Sequence, residues 1–178
     1  DVRVYLTGNA MLNAAFPEAS VNDLTHLTPF MYLMVTLGIW ACLRSFSAAL
    51  LAMLSVVLAS ATAMGCAGWM GIALSSASVA APTIIATVAI AYSLHVLSSF
   101  LKLSTAQLPT HECLRQTLSN NLRPIAVAAL TTVVGFLSLN FSEAPPFRDL
   151  GNITCIGVIT ALLLSLVLLP VLLLMLTG

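Results

Sequence analysis

The sequence predicts an all-α membrane protein: a five-helix transmembrane bundle preceded by a short extramembrane strand and helix. Three observations carry this reading. The first is a run of 57 residues, 45 through 101, with no Asp, Glu, Lys or Arg, in which His95 is the one strongly titratable side chain. A water-soluble fold needs charge on its wet faces, whereas about 20 apolar residues cross a bilayer as one helix. The run therefore holds two crossings and the turn between them. The second is composition. Charged residues make up 7% of the chain and apolar ones 60%, against about 25% and 45–50% in ordinary globular domains. The third is that the other charge-free runs, 24–43, 124–142 and 150–178, each hold one more crossing.

Taken in order, residues 1–28 are not a span. Val2, Val4 and Leu6 alternate with Arg3, Tyr5 and Thr7 at a strand-like period of two, until Gly8-Asn9 breaks the pattern. From Ala10 to Leu27 the apolar positions recur at helical intervals, interrupted by Pro17, Glu18 and Asp23. This segment reads as the tail of an extramembrane domain with its exit helix. The five-span domain then occupies 29–178, with crossings expected at Pro29–Phe46, Ala48–Met70, Val79–Leu101, Pro124–Phe141 and Leu150–Leu176. An odd number of spans puts the two ends on opposite sides of the membrane, and a chain that opens at Asp1 is expected to be a piece of a longer protein.

Arg44, Lys102, Arg115 and Arg123 fall in connections on one face, Arg3 and Arg148 on the other. That bias places loop 102–123 in the cytoplasm. Within the loop, Leu114, Leu118 and Leu122 are four residues apart, as in a short helix lying at the interface with its apolar side down; a plain connector is the competing reading. Six basic and six acidic residues leave no net charge, so nothing draws the chain to nucleic acid. No cofactor motif and no metal-ligand spacing is present. Cys42, Cys66 and Cys155 lie within spans and Cys113 in the loop, as small apolar residues rather than a disulfide framework.

Small residues recur at three or four in two spans: Ala61, Gly65, Gly68 and Gly71, then Thr131, Gly135 and Ser138. Such faces let helix backbones approach where lipid supplies no hydrophobic drive, so Gly65, Gly68 and Gly135 are expected at helix contacts. The third span carries a polar stripe. Thr83, Thr87, Ala91, His95 and Ser99 follow one another at four-residue steps, with Ser98 beside them and Tyr92 at the border. Polar groups unpaired in hydrocarbon are costly, so the stripe is expected to face other helices or a wet crevice. Imidazole is the side chain that changes charge near neutral pH. Two readings of His95 stay open: a proton or substrate pathway, or a neutral ring bonded to a neighbouring helix. Seven residues separate it from Lys102, about 10 Å along a helix, which sets it nearer that interface than the midplane. A hydrolase would need Ser93 or Ser98 within hydrogen-bond reach of His95 and an oxyanion site. No Gly-flanked serine or second intramembrane His supports that, and no enzyme activity is expected.

The stretch from Thr131 through Thr132, Gly135 and Phe136, followed by Pro145-Pro146-Phe147-Arg148-Asp149-Leu150-Gly151, resembles spans five and six of transporters of the resistance–nodulation–division (RND) superfamily. The nearest branch is the mycobacterial-membrane-protein-large (MMPL) exporters of bacteria, whose transmembrane halves are also similar to the sterol-sensing domain. The resemblance covers nearly the whole chain. It implies spans two to six of one half of a twelve-span inner-membrane protein, with a second transmembrane half as partner. It also implies proton-driven efflux of lipid-like or hydrophobic substrates, with membrane lipids around the bundle. Many members of that family carry an Asp-Tyr pair, with a His a turn later, as their proton-relay region. That pattern maps onto Tyr92 and His95 with Ala91 in the acid's place; an alternative register puts Tyr92 there, beside Ser93. Neither position holds a carboxylate, and the five expected spans contain no Asp or Glu. The resemblance thus nominates Tyr92, Ser93, His95, Thr131 and Thr132 for the pathway, with the missing acid expected from the other half. The alternative it leaves is a sterol-sensing-like, lipid-binding regulatory module without proton coupling.

Overall fold

A computed structural model describes residues 8–72, 74–105 and 109–177. Helix α1 spans Asn9–Leu43, α2 Phe46–Trp69, α3 Ala81–Ser104, α4 Thr110–Leu137, α5 Pro145–Leu163 and α6 Leu169–Thr177. A turn of 3-10 helix, Ser78–Ala80, leads into α3, and another, Ser138–Phe141, follows α4. A π-helical turn, Leu164–Leu168, joins α5 to α6 so that they form one rod. Among the described residues, five rods are long and apolar enough to cross a membrane, at Thr25–Leu43, Phe46–Trp69, Ser78–Ser104, Thr110–Phe141 and Pro145–Met175. No strand occurs among the described residues. The alternating segment at Val2–Leu6 lies outside them.

Two boundaries differ from expectation, for one reason. α1 runs unbroken from the exit segment into the first span, and α4 begins at Thr110 rather than Pro124. Two of the expected crossings begin at a proline, but Pro124 sits inside α4 and Pro29 inside α1, where packing on neighbours outweighs one lost N–H bond. The 102–123 segment is therefore not a connector carrying a separate interfacial helix. α3 continues to Ser104 and α4 rises from Thr110, with Leu114 buried in the core and Leu122 exposed. At 35 residues, α1 is about 52 Å long and outreaches a hydrocarbon core of about 30 Å.

The turns are locally encoded. Arg44 closes α1 in the left-handed conformation at φ 51°, its N–H reaching the Trp40 carbonyl at 2.7 Å. Ser45 then caps α2 through its side chain. Between α2 and α3, the Ser78 hydroxyl accepts the Ser75 N–H at 2.7 Å, and Pro82 follows in the first turn of α3, where a missing N–H costs nothing. Before α5, Arg148 Nε donates to the Ser142 carbonyl at 2.7 Å, and Asn140 and Asn152 exchange amide hydrogen bonds at 3.0 and 3.2 Å. This ties the PPFRDLG corner to the end of α4. Hereafter the basic end is the one bearing Arg44, Lys102 and Arg115; the Trp69 end is opposite.

The α5–α6 rod is the hub, packing on α2, α3 and α4, while α1 lies at the periphery against α2. One core cluster, of Val56, Ala63, Ile85, Ala89, Tyr92, Ile125, Ile153 and Val158 with their neighbours, joins α2, α3, α4 and α5. A second, with Ile39, Ala49, Leu97, Phe100, Leu114 and Leu169, lies toward the basic end. Close approach comes from glycines other than those expected. A methyl added to Gly157 would fall inside the Ile85 side chain, and one on Gly151 would meet the Phe136 carbonyl oxygen at 2.5 Å. At Gly65, Gly68 and Gly135 a methyl would meet nothing within 4 Å, so no neighbouring helix of this chain requires a glycine there. The thiols divide as well: Cys113 and Cys155 are buried, but Cys42 is exposed.

Candidate functional site

The polar stripe of α3 does not pack on the other helices of this chain. Thr83, Thr87, Ala91 and His95 are all exposed on the outer surface of the bundle, while Ile85, Ala89, Ser93 and Val96 of the same helix are buried. The core is built on the face of α3 that fits α2 and α5, and the stripe is what remains. The hydroxyls accommodate this by bonding to their own helix: Thr87 donates to the Thr83 carbonyl at 2.9 Å. No hydrogen bond of the His95 imidazole occurs among the described residues.

His95 stands at a crevice between α3 and α4, about 160 Å³ in volume and lined by Ala91, Tyr92, His95, Pro124, Ile125 and Ala128. That is far above the ~10–15 Å³ that admits one water. Tyr92 forms its inner wall, only 5% exposed. Its hydroxyl is turned toward Thr132 of α4, yet no bond of ordinary geometry forms. The Tyr92 oxygen is left without a partner, and the Thr132 hydroxyl is donated to the Ala128 carbonyl at 2.8 Å. Thr131, one position on, faces outward and donates to the Val127 and Ala128 carbonyls at 3.1 and 3.0 Å. With exposed Gly135 and Ser138 it continues the small, polar surface of α3 onto α4.

Of the residues nominated from sequence, Tyr92, His95 and Thr132 are thus brought to one crevice, with Thr131 on the adjoining surface. Ser93 is not. It is fully buried on the opposite side of α3, its hydroxyl unpartnered. Nor does Ser98 reach the imidazole; its hydroxyl donates to the His95 backbone carbonyl at 3.3 Å. No nucleophile–base pair forms. Among the described residues no three His, Cys, Asp or Glu side chains converge as a metal site. Sequence reasoning missed Pro124, Ile125 and Ala128. The available signal was Pro124 itself, since a proline within a helix leaves the carbonyl four residues back without its partner and often marks irregular packing.

The profile of the MMPL family matches residues 1–178, the whole chain. The chain belongs to the MMPL family. No curated protein sequence matches it. Membership and the five apolar rods make this an integral membrane protein and a membrane domain of an RND/MMPL-type transporter. Within this MMPL chain, the surface joining α3 to α4 brings Tyr92, His95, Thr131 and Thr132 together, without Ser93.

Proposed function

We propose that this chain is spans two to six of one half of an MMPL exporter that moves lipid-like or hydrophobic molecules out of the bacterial inner membrane. Residues 1–28 are the tail of its extracytoplasmic domain, and the basic end lies in the cytoplasm. The observation that carries the reading is His95. An imidazole with no hydrogen-bond partner among the described residues, exposed on a rod of membrane length, is too costly to leave against acyl chains. The second transmembrane half covers it, so that the Ala91–His95 and Thr131–Ser138 surfaces form the interface between halves. In this arrangement Ala91 lines the crevice one turn from His95, where an acid on the facing helix completes the relay that Ala91 cannot. Substituting His95 by Ala in the full-length protein abolishes proton-driven export while the purified protein keeps its elution profile and melting temperature. Undiminished export by that variant would remove His95 from the pathway.

One observation favours a second reading, a sterol-sensing-like module that binds lipid and regulates a partner: neither Ala91 nor Tyr92 is an acid. Collapsing the proton gradient separates the two, because a regulatory module keeps its lipid binding and loses nothing.

A further inference from the structure

Helix α4 turns one long face away from the bundle, and the character of that face changes at a single residue. The buried side of the helix carries Thr117, Asn121, Ile125 and Ala129. At about 100° per residue, Arg123 points almost directly opposite, and it is exposed. Val127, Leu130 and Val134 follow it toward the Trp69 end, each within about 40° of the same direction. They are 55%, 64% and 60% exposed. Toward the basic end the same line holds Gln116, Ser119 and Asn120, the last two exposed. The outward face is thus apolar above Arg123 and polar below it.

That boundary matches the edge of a bilayer. From Arg123 to Phe141 the chain runs 14 residues (123 to 137) of α-helix and four of 3-10 helix. The rise is about 29 Å, against a hydrocarbon layer of about 30 Å. Phe141, 91% exposed, marks the far edge, where aromatic rings collect. Arg123 stands at the near edge, level with the phosphates. No hydrogen bond or ion pair of its guanidinium occurs among the described residues. The single acid of α4, Glu112, is already held by Arg115 and Gln116 at 3.0 Å. A guanidinium fork matches phosphate oxygens bidentately, and Ser119 and Asn120 add donors one turn below. With no free carboxylate on this helix, the cation of a choline or ethanolamine headgroup finds no partner there. We propose that an anionic phospholipid docks on this face, its phosphate on Arg123 and an acyl chain along Val127, Leu130 and Val134. Thr131 and Gly135, on the surface assigned to the second half, lie about 80–120° further round α4. The lipid face is therefore distinct, and it does not depend on what is exported or how export is energised.

The test uses the full-length protein in phosphatidylcholine nanodiscs doped with a tritiated phospholipid bearing a diazirine on its acyl chain. Phosphatidylglycerol and phosphatidylcholine versions serve as matched probes. On irradiation, wild type captures the glycerol probe about fivefold more than the choline probe, the worth of one interfacial cation. The label lies within residues 127–134. Arg123→Gln removes the preference and leaves capture of the choline probe unchanged. Arg115→Gln, which removes an equal charge from the same end, leaves the preference intact. Equal capture of the two probes by wild type would overturn the proposal, as would a preference that survives Arg123→Gln. A preference lost equally in Arg115→Gln would belong to the field of the whole basic end and overturn the site. A photo-crosslinker at Val127 that captures the second half of the protein, with neither probe labelling α4, would show a face covered by polypeptide and overturn it as well. Each readout is lipid capture without a proton gradient, so a failed export assay leaves the result standing.

Discussion

The two faces of α3 differ less in polarity than in shape, and shape decides which one is buried. The inner face presents Ile85, Ala89, Tyr92, Ser93 and Val96, a surface of alternating large and small groups into which α5 sets Gly157 against Ile85. It includes a serine with no partner. The outer face presents Thr83, Thr87, Ala91 and His95, of which Thr87 bonds its hydroxyl to its own helix. In water the more polar face would be outside for hydrophobic reasons. In lipid no such drive exists between helices, and van der Waals fit has to do the work.

This contrast can be broken or sharpened by substitution. The largest expected effect is at Ile85, which fills the interface with α5. Ile85→Ala loses about 2–5 kcal/mol of stability by the usual cavity cost, whereas His95→Ala on the outer face leaves the bundle's stability within about 0.5 kcal/mol. Thermal unfolding of both variants in one detergent decides it, and equal losses would end the distinction between faces. Next comes the opposite kind of error, overfilling. Gly157→Ala forces Ile85 to move and costs about 1–3 kcal/mol, while Gly65→Ala, with open space around it, melts with wild type. A Gly65 variant as damaged as the Gly157 one would restore the small-residue stripe of α2 as a packing surface.

A smaller effect is expected where α4 turns into α5. The reciprocal Asn140–Asn152 amide pair contributes a coupling of about 1 kcal/mol, read from a double-mutant cycle with alanine at each position. Additive single losses would mean that the corner is held by Gly151 and Arg148 without the amides. The smallest effect is at Ser93. Removing its unpartnered hydroxyl with Ser93→Ala raises stability by at most about 1 kcal/mol and leaves export unchanged. A destabilised variant would reveal a partner for Ser93 in the assembled transporter.

Legibility from sequence was uneven in an instructive way. The five crossings were plain because each holds a long run without charge, and a solvent constraint of that strength needs no knowledge of neighbours. The ends were less plain: Pro29 and Pro124 punctuate helices in water, but α1 and α4 run straight through them. At the candidate site, four-residue spacing put Ala91 and His95 on one surface, as the structure has them, with Tyr92 at the border as the crevice's inner wall. Spacing could not say which way that surface turned. Nor could it bring Tyr92 beside Thr132, 40 positions (92 to 132) along the chain. Within this chain the glycines that pack are not the ones the repeat pointed to, for the same reason. A repeat of small residues shows that a helix can approach another closely, and only a neighbour of the right relief, Ile85 for Gly157 or the Phe136 carbonyl for Gly151, makes it do so.

The amino-acid order alone therefore determined the solvent, the number of rods and the residues that share a helical face. Each follows from local chemistry: charge that hydrocarbon excludes, backbone groups that must bond within their own helix, and a fixed rotation per residue. Which face turns inward, which glycine is an interface and where two rods part to leave a crevice were decided only on assembly. Between apolar surfaces bathed in an apolar solvent, transfer energies nearly cancel, and the fit of one side chain into another is what remains to choose.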